Sequence, residues 1–269
     1  MDWSEVVRLC GRILTIDVLR VWRGSSDACR VALPRSSLGV LQRVMEPASL
    51  SVVVGHDHVL TSGSAILLYD RPVRTEATAH SGAICLAYVG KTTREAQRSR
   101  RSDEAGQPSR FLASAGVPAC CAAHAGQHSM LQRLLQSYRD DQPIPWAMNV
   151  SLTTFDCSLL SYVPCSPWCA DSRRVAYEGY EILREVQPTL AQQLLSVLCS
   201  STLVMPPFGI AAFRADATED DSQVCEAIVA DGLLSHLIHP GVNVSRDSDG
   251  FQVGDIYLRS DSARLFRHA

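Results

Sequence analysis

Two short segments constrain this chain more than any other feature: Gly116-Val117-Pro118-Ala119-Cys120-Cys121 and Pro164-Cys165-Ser166-Pro167-Trp168-Cys169. Each joins a helix-starting proline to a pair of cysteines. Proline has no N–H to lose at the first helical position, and its fixed φ suits that position. The first segment therefore predicts a helix with Pro118 as its first residue, running through residues 120–138, where Met130, Leu131, Leu134 and Leu135 recur at helical spacing. In the second, Ser166 reads as an N-cap and Pro167 as the first helical residue, with the helix continuing to about Val186. Cys120, Cys121 and Cys169 then fall in first turns and Cys165 just ahead of a cap. There, unpaired N–H groups and the positive end of the helix dipole favour thiolate over thiol.

If the two helix starts converge, four sulfurs meet. Four thiolates suit zinc or an iron–sulfur cluster. His124, four residues after Cys120 and on the same helical face, is a possible further ligand, with His128 one turn beyond. Two other readings stay open. The cysteines can do metal-free redox or nucleophilic chemistry, with Cys120 or Cys121 pairing across to Cys165 or Cys169 because adjacent cysteines make a strained disulfide. Alternatively, they simply pack two helix starts together, with or without a structural zinc.

The remaining sequence frames the site. A chain of 269 residues with 46% hydrophobic and 20% charged residues builds a core without disulfide staples. A net charge of −3 gives no bulk attraction to nucleic acid or anionic membrane. The longest apolar runs, residues 50–54 and 65–69, are strand-sized, and the acidic start Met1-Asp2-Trp3-Ser4-Glu5 is unlike a signal peptide. The expectation is a cytoplasmic protein with a small-molecule substrate and with no nucleic-acid or membrane partner. Its oligomeric state is left open. Ten cysteines in a reducing compartment point to metal or thiol chemistry rather than disulfides. Cys10, Cys29, Cys85 and Cys199, each alone in an apolar context, read as core, and so on balance do Cys157 and Cys225.

The fold class expected is α+β, with mixed or antiparallel strands at both ends and a central helical region carrying the cysteine motifs. Three parts follow, together one compact domain: strand-rich residues 1–90, the helical cysteine region 91–200, and an α+β part 201–269. Residues 3–14 read as a short helix or strand. Residues 50–54, 65–69 and 84–89 read as strands. Thr92 or Thr93 with Glu95 opens a solvated helix over 91–104, where Arg94, Arg98, Arg100 and Arg101 are interleaved with acids. Residues 146–160 read as strand-like, 188–199 as a helix opened by Pro188, and 223–236 as a helix. A hairpin turns at Asp247-Ser248-Asp249-Gly250 between 242–244 and 251–258. That turn echoes a calcium loop without its closing glutamate. His56 and His58, with His80, form a weaker metal candidate. No nucleophile elbow, phosphate loop, dinucleotide fingerprint or HExxH motif is present.

The two cysteine segments, with Ser172 after the second, resemble a family of uncharacterised prokaryotic proteins that carries a GxPxCC element and, downstream, PCSxxC leading into a helix. The resemblance covers roughly residues 85 to 200, and Asn149 between the motifs fits it. Two positions depart. An aromatic often stands where Val117 is, and a histidine often precedes PCS where this chain has Tyr162-Val163, which removes one possible ligand. The family has no assigned activity, so the resemblance implies the site and leaves the reaction open.

Overall fold

A computed structural model describes residues 2–58, 84–125, 143–205, 209–214, 225–230, 243–246, 249–253, 256–259 and 264–266. The fold is α+β, with antiparallel sheets formed by the first and last parts of the sequence and helices between them. Among the described residues the two strand groups make separate sheets, one of three strands and one of seven.

The chain opens with a helix rather than a strand. α1 spans Trp3–Arg23, 21 residues where a short element over 3–14 was expected. Asp2 caps it, accepting from Ser4 N at 3.0 Å and Glu5 N at 3.2 Å. From Ile13 to Val21 every residue is buried, the mark of a helix enclosed on all sides. Midway, at Gly11 (φ 80°, ψ 174°), the helix breaks. The Asp156 carboxylate enters the break and caps the second half, accepting from Arg12 N at 2.5 Å and Ile13 N at 3.0 Å. Only glycine suits this position, because a Cβ there would lie 2.7 Å from Asp156 Oδ2 at a positive φ. Gly11→Ala is therefore expected to cost about 2–3 kcal/mol in denaturant titrations, from backbone strain plus a displaced cap. A loss below about 0.5 kcal/mol, the level of an inert surface change, would count against this geometry.

β1 (Ala28–Pro34), β2 (Ser51–His58) and β3 (Ile84–Gly90) form the first sheet, with the apolar β3 central and buried almost throughout. α2 (Leu38–Met45) lies between β1 and β2 in sequence. α3 (Thr93–Glu104) begins with the expected cap, a reciprocal box in which Glu95 N donates to Thr92 Oγ1 at 3.2 Å and Thr92 N to Glu95 Oε2 at 2.9 Å. Its arginines engage carboxylates, Arg98 with Asp27 and Arg100 with Glu104, which leaves the solvated face expected. Inside, Arg30 of β1 is 2% exposed and pairs with Asp103 at 2.8 Å, while the Tyr88 hydroxyl donates to the same carboxylate at 2.7 Å. The Arg30 guanidinium also lies over the Phe111 ring of α4 (Pro108–Ser114), 4.9 Å from its centroid.

Residues 146–160, expected as strand-like, instead form two 3-10 turns, Trp146–Met148 and Ser151–Phe155, and an irregular buried run. With no strand alongside, local side chains satisfy the backbone. Ser158 Oγ bonds both Leu160 N and Leu160 O at 3.1 Å, and Asn149 Nδ2 donates to Leu198 O at 3.0 Å. Two helices follow: α6 (Ala170–Val186), and α7 (Pro188–Leu198) with Pro188 in its first turn as read from sequence. α6 crosses α1 closely at Gly179, where a Cβ would meet Ile16 Cγ2 at 2.7 Å.

The second sheet comprises β4 (Ser201–Met205), β5 (Gly209–Arg214), β6 (Cys225–Ala230), β7 (Asn243–Arg246), β8 (Gly250–Val253), β9 (Ile256–Arg259) and β10 (Arg264–Phe266). β6 corrects the helix expected over 223–236. Its alanines and glutamate are helix formers, but pairing with β5, Ala211 opposite Ala230, overrides that local preference. The expected hairpin is present, with Val244 opposite Val253. The run 251–258 splits into two strands, β8 pairing with β9 from Gly250 opposite Arg259 to Val253 opposite Ile256. The strand expected at 65–69, His80, and the helix expected beyond residue 125 with His128 lie outside the described residues, as do the side chains of His56 and His58. Among the described residues no helix is long and apolar enough to cross a membrane.

Candidate metal centre

The two cysteine segments reach the same point by different routes. Gly116 (φ 71°) turns the chain out of α4, and α1 holds that turn. The buried Arg20 donates through Nη2 to Gly116 O at 3.3 Å, and a Cβ on Gly116 would sit 2.7 Å from the same nitrogen. Pro118 then stands at the N-cap of the short helix α5 (Ala119–Ala122), one position earlier than expected, and accepts from Cys121 N at 2.9 Å. Cys120 and Cys121 occupy its first turn as read from sequence.

The second segment departs further. Ser166 does not cap α6 and Pro167 is not helical. Ser166-Pro167-Trp168-Cys169 closes a turn of its own, with Cys169 N donating to Ser166 O at 3.1 Å and Trp168 N to Ser166 Oγ at 3.2 Å. The helix starts only at Ala170, so Cys169 is its cap residue and Cys165 lies in the preceding loop.

The four sulfurs nevertheless gather. Those of Cys120, Cys121, Cys165 and Cys169 all lie within 4.8 Å of one another. Cys120 and Cys121 are 3.9 Å apart, and each is 3.7 Å from Cys169. Zn–S bonds of ~2.3 Å in a tetrahedron require sulfurs about 3.8 Å apart, so these spacings suit a single ion at their centre. Cys121 is buried, Cys165 and Cys169 are half-buried, and Cys120 is exposed. His124 does not join the group. Its Nδ1 faces the Cys120 carbonyl at 2.8 Å, where it braces the backbone of a ligand rather than adding one.

A buried layer of donors backs the sulfurs. The Cys121 sulfur receives the Cys165 N–H at 3.3 Å and lies 3.0 Å from Ser172 Oγ, while the Tyr162 hydroxyl donates to Ser172 at 3.1 Å. In the absence of an ion, burial pushes the Cys121 thiol up to about 11 although the Ser172 and Cys165 donors oppose it. Burial, then the neighbouring Cys121, raises Cys165 as well. Cys169 moves the other way, to about 7: burial acts against it, but hydrogen bonds from the Ser172 backbone and hydroxyl and from the neighbouring thiols win. Ser172 lies three residues after Cys169, which puts both on one helical face and was legible in principle. Tyr162 was noted only as a missing histidine, and nothing local marks it as a partner of Ser172.

Cys10, Cys29, Cys85 and Cys157 are buried as expected. Cys199, expected in the core, is exposed, because it stands at the C-terminal cap of α7, where the chain leaves the helix. The side chain of Cys225 is outside the described residues. No protein-family model, curated protein or solved structure matches this chain.

Proposed function

We propose that the chain is a metalloprotein that holds one thiophilic ion, zinc or mononuclear iron, through Cys120, Cys121, Cys165 and Cys169. The observation that carries this is the near-tetrahedral spacing of 3.7–3.9 Å among three of the sulfurs, with the fourth inside 4.8 Å. An iron–sulfur cluster fits less well. Its thiolates bind different irons, so they stand further apart than the edges of one tetrahedron. The exposed edge at Cys120 supports a role on a small molecule, and reduced thiols suit the cytoplasm. On the two motifs alone we also place the chain with the prokaryotic GxPxCC and PCSxxC proteins.

Purification without oxygen, followed by native mass spectrometry and zinc, iron and sulfide assays, tests the reading. One ion per chain without labile sulfide is expected. Several irons with equivalent sulfide, or a fully stable chain with no ion, would sink it. A second reading, metal-free thiol chemistry, draws on the lowered Cys169 thiol 3.7 Å from Cys120. It predicts a Cys120–Cys169 disulfide under mild oxidation of the isolated protein, in a chain that never carried an ion.

A further inference from the structure

The four ligand sulfurs are unequal, and their environments differ in a way that bears on reactivity. A thiolate that accepts hydrogen bonds shares its negative charge with the donors, while one without them keeps its charge and its nucleophilicity. Cys121 is 2% exposed, and Tyr162 and Ser172 behind it are 2% and 0% exposed. With Cys121 as thiolate, the Ser172 hydroxyl donates to it, the Tyr162 hydroxyl donates to Ser172, and the Cys165 N–H supplies a second donor. Cys169 is half-buried, its sulfur 3.7 Å from both Cys120 and Cys121. Cys120 is the exposed member, and among the described residues its sulfur has no hydroxyl or backbone N–H donor, its polar contacts being the sulfurs of Cys121 and Cys169.

We infer that Cys120 is the reactive sulfur of the centre, a thiolate kept for attack on the alkyl carbon of a soft electrophile, while the Tyr162–Ser172 relay holds Cys121 as an inert anchor. The inference rests on the metal-site reading above. The bound ion would supply one thing, coordination of the Cys120 sulfur as a thiolate. The Cys120 sulfur lone pair forms the new C–S bond as the bond from carbon to the leaving group breaks. The leaving group departs with that electron pair. The thiolate becomes a neutral thioether, so one negative charge passes from the protein to the leaving group. No proton moves and nothing is oxidised or reduced.

The substrate class is therefore an alkyl donor small enough to reach a half-covered edge. Cys165, half-buried and in the loop, is the nearest competitor, and exposure decides between them. Cys199, exposed but outside the cluster, serves as an internal standard for an ordinary surface thiol.

The experiment uses the full-length chain, with zinc and iron content measured first and limiting iodoacetamide added afterwards, followed by peptide mass mapping over time. Cys120 is expected to be carbamidomethylated an order of magnitude faster than Cys121, Cys165, Cys169 and Cys199. Cys120→Ser is expected to remove that fast phase. If an ion is bound and another ligand leads, or if Cys120 reacts no faster than Cys199, the inference falls while the metal site stands. If neither zinc nor iron is bound, both fall, and the first measurement says so. The unsubstituted protein decides the matter even if Cys120→Ser fails to fold.

Discussion

Cys121→Ser is expected to lose stoichiometric ion binding and, with it, much of the stability of the cysteine region. Among the four cysteines Cys121 alone is buried, its sulfur 3.9 Å from that of Cys120 and 3.7 Å from that of Cys169. A serine oxygen is harder and sits closer to its Cβ, so it neither suits a thiophilic ion nor reaches the same point. Tetrathiolate zinc binding is worth roughly 10–16 kcal/mol, so losing one ligand of four removes about 3–4 kcal/mol, a fall of order 10²–10³ in affinity. Because the ion binds only the folded chain, that loss appears as stability. At about 2–4 °C per kcal/mol, the melting temperature drops by roughly 6–15 °C. Competition with a chromophoric chelator and a thermal melt measure the two quantities. Cys199→Ser, outside the cluster, is the matched control and is expected to change neither. Wild-type zinc affinity in Cys121→Ser would refute the site.

Asp103→Ala is expected to lower stability by about 2–4 kcal/mol while leaving zinc stoichiometry intact, because it removes a carboxylate that a buried guanidinium and a buried phenol both use. Arg30 is 2% exposed and its Nη1 lies 2.8 Å from Asp103 Oδ2, which also receives the Tyr88 hydroxyl at 2.7 Å. Burial, followed by the neighbouring Asp103, raises the Tyr88 hydroxyl so that it stays protonated and remains a donor. Truncation thus takes one carboxylate from the guanidinium and the Asp103 acceptor from the phenol. The Phe111 face 4.9 Å away replaces only about 1–2 kcal/mol of that attraction. Urea titrations of the variant and the parent give the difference. A loss under about 1 kcal/mol would mean that water reaches the pair, as it does at surface ion pairs.

These two predictions touch different layers of information. The candidate site was legible because four of the cysteines sit at two proline-punctuated points, a local signal needing no knowledge of the fold. The Thr92–Glu95 capping box, the helix end at Val186, the restart at Pro188 and the hairpin closing before Gly250 were equally local: a cap, a ring without an N–H, or a turn acts within a few residues of itself. The Arg30–Asp103 pair had no such signal, since its members are separated by 73 positions. The same holds for the break in α1. The carboxylate that fills it comes from Asp156, 144 positions from Arg12.

Sequence alone determined the residue types of the centre, the prolines that aim two of its sulfurs, and the α+β class. Tertiary structure decided that the two segments meet, that Cys169 caps its helix rather than lying inside it, that His124 turns to a carbonyl, and that residues 225–230 extend as a strand. The reason is range. Caps, turns and proline geometry are settled by neighbours along the chain, whereas a sulfur's burial and donors, like a strand's partner, depend on segments that only packing brings alongside. For the two cysteine pairs that packing separates a buried anchor, Cys121, from an exposed sulfur, Cys120, one position away.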